Sequence, residues 1–101
     1  MNAEAYADAV IGALAGDFPD LNDPVIAEIV HRHVCAHVQH PGRLEVIVDD
    51  PFRARWRLTG NRDQPGRVRL GCWYQKPSSK DEERLARLNT ALDALDVEVQ
   101  R

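Results

Sequence analysis

Between Arg43 and Tyr74 the chain repeats with period two, and this constrains its fold more than any other feature. Leu44, Val46 and Val48 alternate with Arg43, Glu45 and Ile47. Phe52, Ala54, Trp56 and Leu58 alternate with Arg53, Arg55, Arg57 and Thr59; Val68, Leu70, Cys72 and Tyr74 alternate with Arg67, Arg69, Gly71 and Trp73. Successive side chains of a strand point to opposite faces, so each segment offers one largely apolar and one largely polar side. Asp49-Asp50-Pro51, Gly60-Asn61 and Pro65-Gly66 supply the turns between them. The expectation is three short antiparallel strands, covered on one face and wet on the other.

Helical segments on both sides supply the cover. Asn2 is placed to cap a helix running to about Leu14, with Tyr6, Val10, Ala13 and Leu14 on one face and Gly16 as a stop. Asp17-Phe18-Pro19-Asp20 reads as a turn. Asp23-Pro24 is a strong second start, because Asp accepts from the orphan amides and Pro is pre-set for the first helical position. That helix is expected to reach about His40, where Pro41-Gly42 ends it. Ser79-Lys80-Asp81-Glu82 fits a capping box opening a last helix, whose Leu85, Leu88, Leu92 and Leu95 fall within about 80° of one another. Val97-Glu98-Val99 is suited to a short C-terminal edge strand.

The order α-α-β-β-β-α predicts one α+β domain over residues 1–101, of two layers: a three-stranded antiparallel sheet with helices on one face. The length of 101 residues is one domain's worth, and 44% hydrophobic with 29% charged residues is ordinary globular usage. A collagen, a long disordered tail and a disulfide scaffold are thereby excluded. No apolar run approaches the ~20 residues of a membrane-spanning helix, and Met1-Asn2-Ala3-Glu4-Ala5 has neither region of a secretory signal. Cys35 and Cys72, 37 positions apart, read as reduced thiols in a cytoplasmic protein.

Net charge is −3 but unevenly spread. Residues 1–42 carry one base against six acids, residues 43–76 eight bases against four acids, and residues 77–101 four bases against six. Such asymmetry bears on partners and steering. If Phe52, Ala54, Trp56 and Leu58 face the helices, the other face displays Arg43, Arg53, Arg55, Arg57, Arg67 and Arg69 with Ile47 and Trp73, diluted by Glu45 and Asp49. Arg and Trp are the types enriched at binding hot spots, and a guanidinium pairs bidentately with carboxylate or phosphate. The competing account is a solvated strand face, where long arginine stems cover apolar surface; Arg outnumbers Lys by 11 to 2 along the whole chain. The residues singled out for partner binding are Arg53, Arg55, Arg57, Arg67, Arg69 and Trp73.

An acidic surface on a protein is the expected target, and nucleic acid is the competing one, since charge and stacking aromatics occur together. The order helix, three strands, helix from Pro24 to Leu95 resembles, in topology, that of double-stranded RNA-binding domains. That family opens its last helix with phosphate-gripping lysines; here Ser79-Lys80-Asp81-Glu82-Glu83 is acidic, so no residue role is carried over.

All four histidines, His31, His33, His37 and His40, lie within ten residues. On a wheel with Val25 at zero, the aliphatic residues of the second helix span about 0° to 220°, and His40, His33 and His37 fall inside that arc at about 60°, 80° and 120°. His31 and Cys35 fall at about 240° and 280°, on the polar side. His33 and His37, one turn apart, have a spacing that suits two ligands of one metal, though the zincin pattern is missing because Val34 follows His33. The plainer expectation is imidazoles hydrogen-bonded at the helix end, and no cofactor. Cys35 points away from His33 and His37, the glycines form no phosphate loop, and Asp49-Asp50 is turn chemistry. The sequence thus points to a non-enzymatic regulator, adaptor or inhibitor, of a size that phages and mobile elements also encode. The leucine stripe or the sheet edge would allow a homodimer.

Overall fold

In the computed structural model of this chain the described residues are 1–39, 44–47, 56–60, 68–72 and 78–98; for 44–47, Trp56, Arg57 and Cys72 the description covers the backbone alone. Within them the protein is a mixed α+β structure. Helix α1 spans Ala3–Ala15, a 3-10 turn Pro19–Asn22, and helix α2 Pro24–Gln39. Strands β1, β2 and β3 are Leu44–Ile47, Trp56–Gly60 and Val68–Cys72, followed by helix α3 at Ser79–Asp93.

The helix starts follow from side chains that satisfy amides left without intrahelical partners. Asn2 Oδ1 accepts from Ala5 N–H at 2.8 Å, and Asp23 Oδ1 accepts from Val25 N–H at 2.9 Å ahead of Pro24. The capping box of α3 sits one residue earlier than the sequence suggests. Ser78 is the cap: its Oγ accepts from Asp81 N–H, and the Asp81 carboxylate accepts from Ser78 N–H, each at 3.2 Å. The shorter Asp81 side chain takes the reciprocal role that Glu82 was expected to fill. The segment expected as a simple turn winds into the 3-10 turn at Pro19–Asn22, which buries Leu21 beside Phe18.

Strand β2 pairs antiparallel with β1 on one side, Leu44 opposite Gly60 and Val46 opposite Leu58. On the other side it pairs antiparallel with β3, Leu58 opposite Leu70 and Thr59 opposite Arg69. Leu58, Val68 and Leu70 are buried, joining one core with Tyr6, Val10 and Leu14 of α1, Val30, Val34 and Val38 of α2, and Leu88 and Leu92 of α3. Two of the four leucines of the α3 stripe are therefore core residues; Leu85 and Leu95 pack at its margin.

Strand β3 also meets the helices through its backbone. Leu70 N–H donates to Asn89 Oδ1 at 2.7 Å, and Asn89 Nδ2 donates back to Leu70 O at 2.9 Å. Val68 N–H donates to the Tyr6 hydroxyl at 3.1 Å. An amide side chain has the donor and acceptor geometry of a peptide group, so Asn89 stands where a neighbouring strand would stand. Asp17 ties the end of α1 to α3 through Arg87 at 2.8 Å and Arg84 at 3.8 Å. Of the segment suited to a C-terminal edge strand, Val97 and Glu98 belong to no strand and Glu98 N–H donates to Met1 O at 2.9 Å, while Val99 lies outside the described residues. Among the described residues no helix is long and apolar enough to cross a membrane.

Candidate functional site

Of the six residues expected to bind a partner, Arg53, Arg55, Arg67 and Trp73 lie outside the described residues. Arg57 occupies β2 opposite Gly71 of β3. Arg69 is described in full. It is exposed between buried Val68 and Leu70, as alternation requires, and Nη1 stands 3.5 Å from Asp93 Oδ2 of α3. Both partners of that pair are about half exposed (54% and 50%), the setting in which an ion pair contributes about 0–1 kcal/mol. Asp93 thus holds the guanidinium only loosely.

The histidines separate by environment. His33 is exposed, its Nδ1 2.8 Å from Ile29 O, so this nitrogen carries the proton and donates to the carbonyl. His37 is only 4% exposed, and its ring lies against Gly60 of β2 so closely that an added Cβ there would stand 2.7 Å from both ring nitrogens. Neither nitrogen has a hydrogen-bond partner among the described residues. His33 and His37 thus share a helix but occupy different settings, and among the described residues no three His, Cys, Asp or Glu side chains converge on a metal position.

The buried arc of α2 is rotated from the one the wheel suggested. Val25 (65%) and Ile29 (42%) are exposed, whereas His31 and Cys35 are partly buried. The reason is that α1 packs on α2 from the side where these two residues stand, which apolar counting alone classed as polar.

At that contact three side chains form a line. Cys35 Sγ is 3.7 Å from His31 Nδ1, and His31 Nε2 is 3.1 Å from Asp8 Oδ1 of α1. The thiol also donates to Ala3 O at 3.6 Å. An ionised carboxylate only accepts, so His31 Nε2 carries a proton and donates to Asp8 Oδ1. Burial pushes the Cys35 thiol above its ordinary value, and the carboxylates of Glu4 and then Asp8 push it further. Thiol, imidazole and carboxylate here follow the sequence of a nucleophile, base and orienter. A cysteine nucleophile, however, works as thiolate, and this environment favours the protonated form. The spacing His31-x-x-x-Cys35 was the available sequence signal for this cluster; its third member belongs to another helix.

Comparison with known proteins returned no match among family models, curated sequences or solved structures.

Proposed function

We propose that this chain is a non-enzymatic cytoplasmic regulator, adaptor or inhibitor that docks on an acidic surface of a protein partner. The docking face in this reading is the open side of a three-stranded antiparallel sheet whose other side carries the helices. Arg53, Arg55, Arg57, Arg67, Arg69 and Trp73 supply its cationic and aromatic contacts. The observation that carries the reading is Arg69, which stands in solvent from a strand whose neighbours on both sides enter the core. Its weak pair with Asp93 is one that a partner's carboxylate could replace. The acidic segments flanking the basic middle favour a protein over a polyphosphate.

The test is a pull-down from the native host, with the captured protein identified, purified and titrated. The variant Arg55→Glu/Arg69→Glu should lose at least tenfold in affinity while retaining its circular dichroism and urea midpoint. Unchanged affinity removes the proposal. Gel shifts with DNA and RNA over a salt series form the second arm, because phosphate-driven binding weakens steeply with salt. Tight, salt-sensitive binding there would transfer the face to nucleic acid.

A further inference from the structure

Helix α2 carries an apolar stripe that stands in solvent. Val25 and Ile29 are two of the three large hydrophobic side chains exposed among the described residues, and exposed Ala36 continues their line. We propose that this face pairs antiparallel with the same face of a second copy of the chain, giving a two-fold symmetric dimer.

The stripe is a continuous surface. At 100° per residue, with Val25 at zero, Ala36 lies at about 20° and Ile29 at about 40°. Arg32, Gln39 and Glu28 lie at about 340°, 320° and 300°, and His33 at about 80°. All seven are exposed. Val30, Val34 and Val38 enter the core on the opposite side, while His31 and Cys35 meet α1 through Asp8 and Ala3. The open face is therefore about 140° wide and follows Pro24–Gln39, a length of roughly 24 Å. Val and Ile are β-branched and form helices less readily than the Lys, Glu or Arg of a solvated surface, so a lone α2 gains nothing from them at these positions.

Charge selects the occupant. The face holds one acid and one permanent base, Glu28 and Arg32, whose side chains are 72% and 71% exposed and only 3.4 Å apart. A partner surface of a single sign would attract one and repel the other. A second copy satisfies both. In an antiparallel helix pair the two-fold axis is perpendicular to the plane of the helices, so like flanks meet. With that axis level with Val30, Glu28 of each copy stands level with Arg32 of the other, since each lies two residues from it. The four charges then form a square whose every side joins opposite signs. The same axis brings Val25 beside Ala36 of the other copy, and sets the two Ile29 side chains within about 3 Å of one level.

This surface uses none of the docking-face residues. The leucines of α3 are no substitute, because Leu88 and Leu92 lie in the core. One helix pair buries less than a standard interface, so the association is reversible, with a dissociation constant on the order of 10–100 µM.

Sedimentation equilibrium across concentrations bracketing that value tests the proposal. The mass should rise from 11.4 kDa toward twice as much. Ile29→Glu should weaken association by about tenfold or more. Glu28→Arg and Arg32→Glu, each alone, set like charges across the axis and should each weaken it by about tenfold. An equimolar mixture of those two variants restores opposite signs at both crossings and should associate at least as tightly as the original chain. Arg55→Glu/Arg69→Glu should leave association unchanged, which separates this surface from the docking face, and circular dichroism should show every variant folded. A mass that stays at 11.4 kDa throughout overturns the proposal and leaves the stripe to a different protein. Dimerisation indifferent to Ile29→Glu, or a mixture that fails to associate, overturns it equally.

Discussion

Substituting Gly60 by Ala offers the sharpest test of how the end of α2 seats on the sheet. Gly60 adopts no left-handed backbone conformation, so alanine meets no local strain there. What it meets is the His37 imidazole, both nitrogens of which would lie 2.7 Å from the new methyl carbon. Ordinary contact needs about 3.5–4.0 Å, so the ring must retreat by roughly 1 Å. It is 96% shielded and cannot do so without moving its neighbours. Overpacking of this kind costs about 1–3 kcal/mol, offset by about 0.4–1 kcal/mol from the lower entropy of the unfolded chain. The net expectation is a loss of about 1–2 kcal/mol, a fall in Tm of roughly 5–15 °C for a domain of this size. In a His37→Ala background the obstacle is gone, and Gly60→Ala should be neutral or stabilising. A double-mutant cycle by urea denaturation should therefore give a coupling of about 1–3 kcal/mol. Equal effects of Gly60→Ala in both backgrounds, with coupling under about 0.5 kcal/mol, would refute the described seating of the ring.

Two further expectations concern other contacts. Asn89→Ala removes both hydrogen bonds to Leu70, each worth about 1 kcal/mol, so the urea midpoint should fall by an amount equivalent to about 2 kcal/mol with an unchanged m-value; a loss below about 0.5 kcal/mol would mean that water replaces the amide at little cost. For Cys35 the folded-state value is raised above the ordinary 9.0, so folding holds the proton more tightly. Its stabilising contribution is complete below that ordinary value and is lost as pH rises through the folded one. In a Cys72→Ser background, iodoacetamide should accordingly react more slowly at pH 8 with the folded protein than with the urea-unfolded chain; equal rates would contradict the environment described for this thiol.

Much of the fold was legible because it rests on local chemistry. Asn2, Asp23-Pro24 and the Ser78–Asp81 region announce helix starts through side chains that bond amides nearby, and period-two alternation located Leu58, Val68 and Leu70 in the core. The capping box slipped by one because Ser78 and Ser79 are adjacent and each has an acidic residue three positions on; sequence alone does not choose between them. The rotation of α2 was not legible for a different reason. A wheel weights residues by hydrophobicity, whereas burial on α2 is set by where α1 lands, which leaves Val25 and Ile29 in solvent and draws in Cys35 and His31. The Asp8–His31–Cys35 line crosses between helices 23 residues apart in sequence at its acid–imidazole step, beyond any local pattern. For the C-terminal tail, alternation over Val97-Glu98-Val99 was too short to distinguish a sheet partner from the backbone of Met1.

The amide of Asn89 and the hydroxyl of Tyr6 have one more effect, on crowding. Open-ended stacking of molecules into a ribbon needs two adhesive borders on every copy, one to receive and one to offer. Here the Leu70 peptide groups and the Val68 N–H on the outer side of the last strand are already engaged within the molecule. Among the described residues that border of the sheet has these groups already taken, so it offers a like neighbour little to add to. Releasing Asn89 would uncover the Leu70 peptide groups as well as loosen the fold.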